Sequence, residues 1–391
     1  MKYNFDKVID RSGTSAEKVE GLKHIWGRTD LIPLWVADMD FATAPFVTDA
    51  IRKRCENEVL GYTGKPDSYY NAIINWVKQR YDLIVTKEMI NFVPGIVPGI
   101  GMAMNCFTQK GDKVMIQPPV YHPFAWVTTR NERTLVINPL KWENGMYRMD
   151  LDAFREQIKG CKLFILCNPH NPGGVVWTEA ELRAIADICY DEKVLVFSDE
   201  IHADLTLPPH THRPFATVSE KARMNSVTFM SPSKAFNMPG LSASHALIFN
   251  EDLRKRFRIY MDAGELDMGH VFAFLSVEAA YSHGTEWLDQ CLAYIQGNID
   301  FVDEFLKKHA PKIKAIRPEA SYLVWLDCRE LELSQKDLNE FFVDKAHLAL
   351  NDGEMFGKEG IGFMRLNVAS PRCIIEKAMK QLADAYQLYI K

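Results

Sequence analysis

Six short apolar runs, rich in β-branched residues, punctuate the middle of the chain: Lys113–Ile116, Thr134–Ile137, Leu163–Cys167, Val194–Ser198, Ser226–Met230 and Ala246–Phe249. Helical patterns separate several of them. The clearest runs from Glu179 to Asp191, with Ala180, Leu182, Ile185, Ala186 and Ile188 on one face. Thr178 and Glu181 form its T-x-x-E capping box. Strands alternating with helices predict an α/β fold, with a mainly parallel sheet covered on both faces.

After about residue 285 the pattern changes. A long amphipathic helix over Glu286–His309 precedes a strand-like Tyr322–Trp325, a helix capped by Ser334 and a closing helix from Pro371 to about Tyr389. In the last, Ile374, Ile375, Ala378, Leu382, Ala385 and Leu388 follow a 3.6 period. We therefore expect a large α/β/α domain over 47–285 and a smaller α+β domain over 286–391. The N-terminal arm, 1–46, is assigned to the smaller one.

Composition excludes more than it proposes. Among 391 residues, 46 Lys+Arg against 51 Asp+Glu give a net charge of −5 with no basic block, which argues against nucleic acid as a main partner. No uncharged apolar stretch reaches the length of a membrane span; Gly95–Gln109 is too short and interrupted by glycines and Pro98. The opening MKYNFDKVIDRSG has no apolar core, so we expect no signal peptide and a cytoplasmic protein. The eight cysteines form no C-x-x-C pair and read as buried free thiols. His210 and His212 form an H-x-H in a Pro-rich loop, but with no carboxylate or Cys nearby in sequence, so no metal site is expected.

In parallel α/β sheets ligands bind beyond the carboxyl ends of the strands. Four segments put polar chemistry at such ends. Val93-Pro-Gly95-Ile96-Val97-Pro98-Gly99 opens a helix whose first N–H groups suit an anion. Cys167-Asn168-Pro-His-Asn171-Pro-Gly-Gly174 presents Asn171 on a turn. Ser198-Asp199-Glu200-Ile-His202 places two carboxylates and a histidine after an apolar strand, where a desolvated carboxylate needs a cation. Ser231-Pro-Ser233-Lys234 sets a lysine beside two hydroxyls, where desolvation would make the amine a nucleophile or base. Alone, each has a plainer reading: a turn asparagine, a helix-capping aspartate, a surface lysine, a glycine-rich turn.

Together and in this order they resemble fold type I of the pyridoxal-5′-phosphate (PLP) enzymes, in the class I/II aminotransferase superfamily, over nearly the whole chain. The run Leu34-Trp35-Val36-Ala37-Asp38-Met39-Asp40-Phe41, with SDEIH at 198–202 and CNPHNPGG at 167–174, resembles more narrowly the MalY/PatB group of cystathionine β-lyase-like C–S lyases. The resemblance implies PLP as cofactor, bound covalently by Lys234, which then shuttles protons. Asp199 would pair with the pyridine nitrogen, Asn171 and His202 would lie near O3′, and Tyr121 would stack on the ring. The phosphate would sit on the backbone of Ile96 and Val97, aided by Ser231 and Ser233. Tyr62, in Gly61-Tyr62-Thr-Gly, would reach the phosphate of a neighbouring subunit, which implies a homodimer with shared sites. Ser242 departs from the arginine that many transaminases carry there, so the phosphate must be neutralised differently. Met355-Phe-Gly357-Lys-Glu-Gly360-Ile-Gly362-Phe-Met-Arg365-Leu-Asn367 resembles the run whose arginine grips the substrate carboxylate, over which Val36 and Ala37 would close.

The implied activity is α,β-elimination from L-cystathionine or a related cysteine S-conjugate, giving a thiol, pyruvate and ammonia. His202 and the W-V-A-D-M-D-F run favour this over a transaminase acting with a 2-oxo acid. A regulator built on the same fold is a third reading, although no DNA-binding extension is expected ahead of Trp35.

Overall fold

The computed structural model describes residues 2–390. Seven strands make the central sheet: β1 (Ile90–Val93), β2 (Lys113–Ile116), β3 (Thr134–Ile137), β4 (Cys161–Cys167), β5 (Leu195–Asp199), β6 (Ser226–Met230) and β7 (Ser244–Leu247). Their order is β1-β7-β6-β5-β4-β2-β3. Strands β2 to β6 run parallel, while β7 is antiparallel to both β1 and β6. The sheet is thus mixed but mostly parallel, as the alternation of strands and helices predicts. Central strands are buried along their length: every residue of β6 and β7 is buried, which fits their apolar runs.

Helix α1 (Ile96–Phe107) packs across this sheet. A Cβ on Gly99 would stand 2.9 Å from Val93 Cγ2 and 3.1 Å from Phe229, so only glycine permits this approach. Helix α2 (Glu179–Asp191) has the predicted capping box, with both Thr178 and Glu181 hydrogen bonds formed.

A four-stranded antiparallel sheet, β8 (Lys314–Ile316), β9 (Leu323–Asp327), β10 (Asn351–Asp352) and β11 (Phe363–Asn367), is ordered β8-β9-β11-β10. Helices α3 (Thr285–His309) and α4 (Arg372–Tyr389) pack together beside it. Ile32–Pro33 pairs in parallel with Leu348–Ala349, which ties the N-terminal arm to the C-terminal part of the chain.

Three readings from sequence need adjustment. The run Ala246–Phe249 forms its strand two residues earlier, at Ser244–Leu247, because buried Ser244 and His245 are recruited into it. Strand β1 has no counterpart among the predicted runs. The cysteines are unpaired, but Cys55 and Cys373 are exposed and Cys106 is half-buried.

Candidate functional site

The carboxyl ends of β2, β4, β5 and β6 converge with the start of α1 on one cavity of about 210 Å³. Gly95 precedes α1 with φ 155°, and no side chain caps the helix. Ile96 and Val97 line the cavity there. An uncapped helix start carries unpaired N–H groups and the positive end of the helix dipole, which suits an anion.

Lys234 follows β6 through the turn Ser231–Ser233. Its Nζ donates to the carbonyl of Ala37 at 2.5 Å. Burial lowers its pKa to about 8; Arg365 pushes the same way, while Asp38 and Asp199 oppose it. The amine is therefore much closer to its nucleophilic, neutral form than an ordinary lysine. Ser233 lines the cavity, whereas Ser231 lies behind it, donating to Ala243 O at 2.7 Å and touching Ser233 Oγ at 2.8 Å.

Asp199 ends β5, 4% exposed, and accepts a hydrogen bond from Ile201 N at 3.1 Å. Among the described residues it forms no ion pair. Burial, with the neighbouring Glu200 charge adding to it, raises the carboxyl to about 7. His202, one turn on, is buried and neutral, its pKa pushed to about 3 by burial first and then by Lys234 and Arg365. Its Nδ1 has no partner. Tyr121 and Asn171 complete the walls.

Arg365 lies in β11, 3% exposed, and enters from the other sheet. Its Nη1 donates to Asn171 Oδ1 at 3.0 Å, and its Nη2 to Asn351 Oδ1 at 2.5 Å and to Trp35 O at 3.1 Å. The guanidinium lies 4.8 Å above the Phe356 ring, and its Nε is buried without a partner. Burial lowers its pKa to about 10, which leaves it a cation at neutral pH.

The segment Trp35–Phe41 bridges Lys234 and Arg365 through its backbone. Asn367 Nδ2 donates to Val36 O and Asp38 O, both at 2.7 Å, and Asn237 bonds Met39 and Phe41. Lys18, with no exposed surface, bonds Asp40 at 2.8 Å. Ala37 O accepts from Tyr322 OH at 2.9 Å as well as from Lys234.

Of the residues singled out in sequence, Ala37, Ile96, Val97, Tyr121, Asn171, Asp199, His202, Ser233 and Lys234 all border this cavity. Arg365 reaches it through Asn171. Tyr62 does not join them: it is 98% exposed on the outside of the chain. Ser242, noted in sequence only as a departure from an expected arginine, lies in the wall; sequence reasoning passed over Cys167 and Ser244 beside it, and Tyr322 and Asn351, which hold Ala37 and Arg365. The H-x-H loop also differs from its reading, because His212 does have a carboxylate partner: its Nε2 lies 2.8 Å from Glu200 Oε2. Among the described residues no group of His, Cys, Asp and Glu is arranged to hold a metal.

Comparison with known proteins agrees with this geometry. Residues 29–382 match the family model for aminotransferase class I and II. The chain is 38% identical to cystathionine beta-lyase PatB of Bacillus subtilis, covering 98% of this chain and 99% of that one. It is 30% identical to protein MalY of Escherichia coli, covering 98% of both. Among solved structures, cystalysin of Treponema denticola, which contains pyridoxal 5′-phosphate, superposes with a TM-score of 0.96 at 33% identity over all of both chains. The PLP-bound C–S lyase of Staphylococcus hominis gives 0.91 at 35% identity, covering 98% of each. With the family model matched over residues 29–382 and relatives at 30–38% identity aligned over 98% of the chain, this chain belongs to the class I and II aminotransferase family.

Proposed function

We propose that the protein is a PLP-dependent C–S β-lyase that cleaves L-cystathionine or related cysteine S-conjugates to a thiol, pyruvate and ammonia. The observation that carries this reading is the buried Asp199 carboxylate, without an ion-pair partner, facing a cavity that also holds an activated lysine. A buried anion of this kind calls for a cationic ligand group, and a protonated pyridine nitrogen supplies one. The uncapped start of α1 offers a phosphate seat at the same cavity. The residues present therefore fit PLP.

Bound PLP serves as an electron sink for the Cα of an amino acid attached to it. The chain's own residues supply the rest. Lys234 would hold the cofactor, and its amine would take the Cα proton. Asp199 would keep the ring nitrogen protonated, with Asn171 and His202 near O3′ and Tyr121 covering the ring face. Ile96, Val97 and Ser233 would receive the phosphate, with Ser231 holding Ser233 from behind the wall rather than reaching the cavity itself. Arg365, held by Asn171, Asn351 and Trp35, presents a fixed cation for the substrate α-carboxylate. Ala37 would lie against that carboxylate.

The names and structures of the relatives support elimination, as do His202 and the Trp35–Phe41 run. The family model favours a second reading, an aminotransferase. Purified enzyme given L-cystathionine without a 2-oxo acid should release pyruvate and homocysteine in equal amounts. Turnover that appears only on adding 2-oxoglutarate would overturn the lyase reading.

We also propose a homodimer in which Tyr62 completes the neighbouring site, and the division 47–285 and 286–391 with the 1–46 arm joined to the latter. The pairing of Ile32–Pro33 with Leu348–Ala349 supports the last point. Eight unpaired cysteines support a cytoplasmic location.

A further inference from the structure

Behind the cavity lies a set of buried polar groups that the reading above does not use. Glu200, 1% exposed, has each carboxylate oxygen engaged. Its Oε1 accepts from Ser198 Oγ at 2.8 Å and from Phe215 N at 2.9 Å, and its Oε2 accepts from His212 Nε2 at 2.8 Å. His212 is 5% exposed, and its ring stands edge-on to Tyr81 at 5.5 Å. Tyr81 OH in turn donates to Asp204, which also accepts from Trp76 Nε1 at 3.0 Å. A buried polar pair of this kind seldom adds net stability over apolar packing, and its best-attested use is to fix one arrangement.

The arrangement it fixes is visible in the chain. Asp199 closes β5 and residues 200–204 turn away from it, and the polar side chains of this stretch divide between two directions. Asp199 and His202 border the cavity. Glu200 and Asp204 point the other way, into the groups just described. The histidine comes from the Pro-rich loop at 208–214, so this loop is bound to the back of the turn.

We infer that Glu200 and His212 are a positioning pair for the cofactor site, holding from behind the turn that aims Asp199 and His202 into the cavity. This rests on the PLP reading. It gives the H-x-H loop a role, since His212 orients a cofactor-facing turn as outer-shell partners orient groups that touch a ligand. Neither residue borders the cavity.

The test compares native protein with Glu200→Gln, His212→Gln and the double variant. Three quantities are read: PLP affinity of the apoprotein, the pH midpoint of the visible absorbance of the PLP-loaded protein, and the melting temperature of the apoprotein. Each single variant should weaken PLP affinity about tenfold or more and move the pH midpoint. The double variant should be no worse than the singles, because the pair acts as one unit. Affinities within twofold of native with an unmoved midpoint would overturn the inference. So would a lowered melting temperature with an unmoved midpoint, which marks ordinary core packing. If Glu200→Gln fails to fold, Ser198→Ala, which removes one hydrogen bond and keeps the charge, should move the midpoint in the same direction; an unmoved midpoint there also counts against the pair. A native protein with no PLP affinity would sink the PLP reading itself. Native affinity with unaffected variants sinks only the pair.

Discussion

Lys234 Nζ and Tyr322 OH both donate to one acceptor, the carbonyl oxygen of Ala37, at 2.5 Å and 2.9 Å. The lysine comes from the turn after a central strand and the tyrosine from the residue just before β9, an inner strand of the second sheet. The acceptor belongs to the N-terminal arm. Three distant parts of the chain thus meet at one peptide group, beside a cavity wall. The run Trp35–Phe41 reaches the two cations through its main chain: Trp35 O holds Arg365, and Ala37 O holds Lys234.

Removing the Tyr322 hydroxyl tests this junction. Tyr322→Phe leaves the Ala37 carbonyl with one donor and frees the segment to shift. A net hydrogen bond contributes about 1 kcal/mol, so turnover should fall roughly fivefold while the melting temperature changes by only a few degrees. Steady-state kinetics with S-conjugate substrates would check it, and an unchanged kcat would show that Ala37 needs no second donor.

Arg365 is held on three sides by Asn171, Asn351 and Trp35, with Nε left unpaired. Lysine cannot reproduce a planar fork with that many fixed donors. Arg365→Lys should raise KM for amino-acid substrates by roughly 10- to 100-fold, which corresponds to the loss of a charge-assisted hydrogen bond. PLP affinity should change far less. Loss of cofactor in this variant would contradict the assignment of Arg365 to the substrate carboxylate.

Asp199 predicts a pH signature in the apoprotein. Its carboxyl rises from 3.8 to about 7 on folding, so between those values the native state holds more protons than the unfolded one. Stability from this group therefore falls as pH rises from 4 to 7 and stays low above. The full penalty is at most about 4 kcal/mol. Asp199→Asn removes it, so the variant apoprotein should melt higher than native at pH 8 and alike at pH 4. It should also bind PLP more weakly, because the ring nitrogen loses its anion. Equal melting at both pH values would show that the buried carboxylate is already paired.

The sequence disclosed the strands built around a run of three or more adjacent apolar or β-branched residues, and the polar residues that end them, because both signals are local. Asp199 and Lys234 were legible from a β-branched run followed by a turn. Strand β1 was not, since Asn91 breaks its short apolar run, although that side chain is buried and bonded to Met89 O and Ala246 O. Strand β7 was displaced for the same reason, by Ser244 and His245. Asn351 and Tyr322 carry no local mark, because their roles arise only when the second sheet lies against the first. Glu200 and His212 are separated by a turn and a Pro-rich loop, and nothing in their spacing announces a 2.8 Å contact.

Tyr62 gives the sharpest test of a shared site. It is 98% exposed and does not border its own chain's cavity, so any role at a phosphate must be in a second copy. Lys234→Ala and Tyr62→Ala should each be nearly inactive as homodimers. Mixed and refolded together, they form hybrids in which one site pairs the intact Lys234 of one subunit with Tyr62 of the partner subunit. The other site lacks both. Activity should therefore reappear on mixing, at up to one working site per hybrid. A site built within one chain would give a different result: Tyr62→Ala would be active alone, or mixing would restore nothing.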